Sequence, residues 1–163
     1  MFESRSCITC KATESVELME GDIWEFEAAG DNPAFTVSGI VCYHCKNCGE
    51  KFVTGELDKI NQPKIIEAKR RARGLLSGEE IGKIPAKVGL SAKELETILG
   101  FAPNTFSRWK TAAMIQSPSS DALLIMIQAH PEMIFSLALK RGIPVTGRQK
   151  GRPSKTILKK QKA

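Results

Sequence analysis

All five cysteines of this 163-residue chain lie before position 49. They form the pair Cys7-Ile-Thr-Cys10 and the segment Cys42-Tyr-His-Cys45-Lys-Asn-Cys48-Gly49. Two Cys-x-x-Cys pairs on tight turns supply four thiolates, the tetrahedral set that a closed structural zinc site takes, and the odd total argues against a disulfide framework. Spacing leaves the second pair open between Cys42/Cys45 and Cys45/Cys48. The later register is preferred, because Gly49 can take the positive φ that turns backbone N–H groups back onto the sulfurs. The reading is one structural Zn2+ per chain on Cys7, Cys10, Cys45 and Cys48. Cys42 is then a small buried residue and His44 a strand or turn residue. The chain has two histidines, His44 and His130, so the usual His ligands of a catalytic zinc are scarce and no enzyme is expected.

Between the cysteine pairs, "SVELME" and "IWEFEA" alternate like strands with Gly21-Asp22 at a turn, and "AFTVSGIVCYH" reads as a returning strand. This predicts a small β-rich ribbon whose folding free energy includes the metal. Charge divides the chain at the same place. Residues 1–58 carry four basic and eleven acidic residues, net −7, and the remainder carries twenty against seven, net +13. A basic half suits a phosphate backbone and an acidic half suits a basic protein.

Beyond the ribbon, "QPKIIEAKRRARGLL" reads as a basic linker helix with Pro63 near its start. Two capping boxes follow, Ser77-Gly-Glu-Glu80 and Ser91-Ala-Lys-Glu94, the second with Leu90 and Leu95 as a hydrophobic staple. Gly100 ends a helix of about two turns, and "APNTFSRWK" begins another with Pro103 in its first turn. A short helix, a glycine turn and a second helix form a helix-turn-helix arrangement. Leu95, Ile98 and Leu99 would pack on Phe106 and Trp109, leaving Asn104, Thr105 and Arg108 facing out. Asparagine and arginine carry the forked donors that fit the major-groove edges of adenine and guanine. Ser107, Lys110 and, in the tail, Arg152 complete the candidate DNA contacts. Two further helices, through "DALLIMIQ" and "MIFSLALKR", offer Leu123, Leu124, Ile127, Met133 and Leu137 to the core.

The cysteine ribbon followed by "LLSGEEIGKIPAKVGLSAKELETILGFAPNTFSRW" and "LLIMIQAHPEM" resembles the MqsA (YgiT-type) family of zinc-finger, helix-turn-helix antitoxins and transcriptional regulators. The resemblance covers roughly residues 7–142. It implies a zinc ribbon that binds a protein toxin, commonly a ribonuclease, and a C-terminal domain that dimerises on a palindromic operator and represses its own operon. It also implies that Asn104 and Arg108 meet the bases. Three features depart from the pattern. Pro85 lies deep in the first capped helix and should kink or shorten it. Lys110 follows the "SRW" run where the family usually has an acidic residue, and the segment from Pro144 onward extends beyond the resemblance.

The expected fold is α+β: a zinc-binding ribbon domain over 1–58, a basic linker helix over 59–76, an all-α, XRE-like DNA-binding and dimerisation domain over 77–143, and a disordered basic tail over 144–163. From Arg148 the tail holds seven basic residues and no acidic one. Its Lys150-Gly151-Arg152-Pro153 is similar to the core of an AT-hook, for which a non-specific electrostatic arm is the alternative. No apolar run approaches the roughly 20 residues of a membrane span, and the N-terminus lacks a signal-peptide core. A soluble, cytoplasmic, nucleoid-associated homodimer is expected.

Overall fold

The computed structural model describes residues 6–30 and 32–145. Within them lie three strands, β1 (Val16–Phe26), β2 (Phe35–Cys45) and β3 (Lys51–Phe52). Six helices follow: α1 (Gly55–Ala72), α2 (Gly78–Val88), α3 (Ala92–Leu99), α4 (Thr105–Lys110), α5 (Pro118–Ala129) and α6 (Glu132–Lys140). A ribbon followed by a helical domain is the α+β architecture expected from the sequence.

The strands form an antiparallel sheet in the order β1-β2-β3. Pairing runs from Val16 opposite Cys45 to Phe26 opposite Phe35, where the two rings stack at 4.8 Å. Gly21-Asp22 is not the turn that its composition suggested. β1 continues through it: the register shifts by one residue between Met19 and Asp22 and shifts back between Asp22 and Ile23, so the irregularity is local and the pairing resumes beyond it. Asp22 is fixed there by Lys51 Nζ at 2.9 Å and Trp24 Nε1 at 2.9 Å.

Helix α1 begins at Gly55, eight residues before Pro63, with Glu56 and Asp58 placing negative charge in its first turn. Pro63 therefore lies inside the helix rather than at its start. The helix is also more than a connection. Leu57 joins the buried cluster of Cys7, Tyr43, Cys45 and Phe52, and Ala68 joins that of Val37, Ile40 and Cys42. Asn61, buried against the sheet, donates to Val41 O at 2.7 Å and accepts from Val41 N at 3.0 Å.

Both capping boxes form, at Ser77/Glu80 and Ser91/Glu94, and Gly89 and Gly100 close α2 and α3 in the left-handed conformation. Helix α2 continues through Pro85 as far as Val88. The helical core gathers Ile81, Ile84, Val88, Leu90, Leu95, Ile98, Phe106, Trp109, Leu124, Ile127, Ile134 and Ala138 and shares none of these with the ribbon clusters. Met133, expected in this core, is 48 % exposed.

Candidate metal centre and nucleic-acid interface

The sulfurs of Cys7, Cys10, Cys45 and Cys48 all lie within 4.8 Å of one another. Two knuckles bring them together. In the first, Cys7 N donates to Ala12 O and Lys11 N to Cys7 O; in the second, Gly49 N donates to Cys45 O at 2.8 Å and Cys45 N to Glu50 O at 2.9 Å. The residue after each pair is left-handed, Lys11 at φ 61° and Gly49 at φ 76°. Glycine takes that conformation freely and lysine at some cost.

Sulfurs about 2.3 Å from a tetrahedral ion would stand about 3.8 Å apart. The Cys7–Cys48 and Cys10–Cys45 separations are 3.6 Å and 3.7 Å. The donor set thus fits a metal ion, and among the described residues no imidazole or carboxylate joins it. His44 instead faces Glu17 at 3.5 Å, and His130 faces Glu132. Cys42 stands apart: it is fully buried in β2, its thiol directed to Asp22 Oδ2 at 3.7 Å. Burial, then the Asp22 charge, pushes the Cys42 thiol up, so it remains a thiol. The clustered sulfurs compete for protons. A hydrogen bond from Ser15 lowers Cys45 to about 6. Cys48, despite a lowering backbone contact at Glu50, is pushed up to about 12 by burial and by the sulfurs of Cys10, Cys7 and Cys45. A cation resolves that competition, since it favours the thiolate at every ligand.

The second candidate site is built on α3 and α4. Phe106 and Trp109 are each 3 % exposed and pack with Phe101, which meets Trp109 edge-on at 5.2 Å. Ser107, Arg108 and Lys110 are exposed on the other side of α4, and Asn104 is exposed at its N-cap. Asn104 is left-handed at φ 64°, so it stands outside the regular helix and its direction does not follow the helical 100° step. Its side chain makes no cap hydrogen bond. The carboxylate of Glu96, 7 % exposed on α3, performs that task by accepting Asn104 N at 3.2 Å and Phe106 N at 2.9 Å.

Thr105 departs from expectation. It is buried, with its hydroxyl donating to Ala102 O at 2.6 Å, so it shapes the turn and presents nothing outward. The stem of Lys110 lies along Gly82, where an added Cβ would come within 3.2 Å of its Cγ and Cδ. Packing on a glycine thus stands where the sequence suggested a missing charge contact. Arg152 and the rest of its Gly-Arg-Pro segment lie outside the described residues.

Glu96 and the buried Arg70 were missed from the sequence. Glu96 left one signal, a carboxylate between Leu95 and Ile98 on the apolar face of α3. Arg70 left none, since it lies in a run of basic residues.

Fold and site together define a metal-ribbon protein with an appended helical domain. A family model described as the antitoxin component of a bacterial toxin-antitoxin system, MqsA, matches residues 6–137. The curated Antitoxin MqsA of Escherichia coli (strain K12) is 30 % identical over 100 residues, 60 % of this chain and 73 % of that protein. The chain belongs to the MqsA antitoxin family, which points to a regulatory rather than a catalytic role. Among the described residues, no single helix is long and apolar enough to cross a membrane.

Proposed function

We propose that this antitoxin is a sequence-specific DNA-binding repressor that regulates its own operon, with α3 and α4 as a helix-turn-helix and α4 in the major groove. One observation carries the reading: Glu96 satisfies the start of α4, which leaves the exposed Asn104 side chain, together with Arg108, for base edges. Ser107 and Lys110 lie close enough along the helix to reach phosphates, which would fix its register. The basic tail with Arg152 adds phosphate or minor-groove contacts. Zn2+ on the four cysteines holds the ribbon, whose acidic surface receives a basic protein toxin. The site of action is the cytoplasm, at the nucleoid.

A single α4 reads too few base pairs for specificity, so the repressor acts as a homodimer on an inverted repeat with half-sites about 10 base pairs, or a multiple, apart. Ile125, Met126, Met133 and Leu139, between 48 % and 83 % exposed on α5 and α6, are the apolar surface available for that contact.

The test is binding of the purified full chain to a duplex from the region upstream of its own gene and to a scrambled duplex of equal length. The expected preference is about 10³-fold or more. Equal affinity for the two duplexes overturns the DNA reading. A small basic protein that co-purifies from the native host identifies the toxin; a chain that binds DNA without such a partner is a stand-alone regulator.

A further inference from the structure

We propose that Arg70 is a positioning residue for DNA recognition, fixing the exit of α4 to the helix that lies on the ribbon sheet. The inference rests on the reading of α4 as the DNA-contacting helix. Arg70 is the largest fully buried side chain among the described residues. Its Nη2 donates to the carbonyl oxygens of Trp109 at 2.7 Å and Met114 at 3.0 Å, and its Nε donates to Gln116 Oε1 at 2.9 Å. Its Nη1 donates to Glu67, one turn earlier on α1, and the same Glu67 oxygen accepts the Gly78 amide at 3.1 Å.

The two carbonyls bracket the turn that leaves α4, in which Ala112 is left-handed at φ 51°. One planar guanidinium therefore spans the end of the reading helix and the far side of its turn. Gln116 extends the network by donating to Leu76 O at 2.7 Å and to Asp121 Oδ1 at 2.9 Å, while Leu76 N donates to the same Asp121 oxygen. The junction is packed as tightly as it is bonded. A Cβ on Gly78 would stand 2.6 Å from Lys110 O and 2.9 Å from Arg70 Nη1.

At the other end of α1, Asn61 is bonded to both backbone groups of Val41, and Lys64 donates to Gly39 O. One helix thus carries both attachments. Asn61 and Arg70 are nine residues apart, about 13 Å along the axis. A lysine cannot replace this arginine, because a point charge does not reproduce a planar fork aimed at four acceptors.

The test uses the full metal-loaded chain as wild type, Arg70→Gln, Arg70→Lys and Gly78→Ala. Two quantities are measured: amide exchange over residues 109–116, and the preference for the upstream duplex over the scrambled one, normalised to the folded fraction. All three variants should lose about 2- to 30-fold in preference. They should also lose protection in 109–116 while α5 keeps its own. Loss of stability alone would lower the folded fraction without changing its preference. If Arg70→Lys matches wild type in both measurements, the proposal is overturned. If Arg70→Gln does not fold, Gly78→Ala decides, and full protection with full preference in that variant is equally contrary. Should the wild type itself show no preference, the DNA reading fails, while the exchange measurement still tests the placement of the turn by Arg70.

Discussion

The Glu96 carboxylate caps a helix that it does not belong to, accepting Phe106 N at 2.9 Å across the turn between α3 and α4. The start of a helix leaves N–H groups without intrahelical partners, and here a neighbouring helix answers two of them. Glu96→Ala should therefore destabilise the helical domain by about 1–3 kcal/mol, the cost of leaving buried donors unpaired. Glu96→Gln should cost less, because its amide keeps one accepting oxygen. Urea unfolding followed by helicity measures both. An alanine variant within about 0.5 kcal/mol of wild type would show that water serves the turn equally well.

The cysteines make the next prediction. One Zn2+ per chain should bind, and Cys48→Ser should lose it while Cys42→Ser keeps it, because the Cys42 thiol faces Asp22 away from the other sulfurs. Metal analysis of the purified variants reads this directly, and the opposite pattern would transfer the site to the earlier register. Chelation of the wild type should unfold the ribbon and leave most helicity of α2 to α6, since the two cores share no residue.

A third prediction concerns acid. The Ser77 backbone amide, then its hydroxyl, holds the Glu80 carboxyl below its ordinary value. A carboxyl lowered by folding contributes stability that is fully present above its unfolded value of about 4.3 and is lost as pH falls through the folded one. Glu80→Gln keeps a capping group at N3 but has nothing to titrate. Its melting temperature should fall less than that of wild type between pH 6 and pH 3; parallel acid slopes would contradict the assignment.

Phe106 and Arg108 should fail in different ways. Phe106 is 3 % exposed, and Phe106→Ala should cost about 3–5 kcal/mol of stability and remove binding to all DNA. Arg108 is exposed, so Arg108→Ala should melt near wild type. A stability loss in Arg108→Ala comparable to that in Phe106→Ala would assign this arginine to the fold rather than to a ligand.

Much of this was legible in the residues, because local chemistry decided it. Serine followed three residues later by glutamate gave both capping boxes, and the aromatic spacing of Phe106 and Trp109 gave the buried face of α4. Other features depended on distant neighbours. Gly21-Asp22 has the composition of a turn, but pairing with β2 held the strand straight through it. Pro63 has the look of a helix start, but packing of Leu57 and Asn61 on the sheet extended α1 backward to Gly55. Thr105 looked outward by periodicity until its hydroxyl closed on Ala102. The buried role of Arg70 depends on carbonyls 39 and 44 residues away, which no local pattern can announce.

The central claim is that α4 reads bases, and it is tested most directly by changing each base pair of one half-site in turn and measuring wild type and Arg108→Ala on the whole set. The account predicts one guanine-bearing pair whose replacement costs wild type about 1–3 kcal/mol and costs the variant almost nothing. An Arg108→Ala chain that discriminates at every position as wild type does would contradict it.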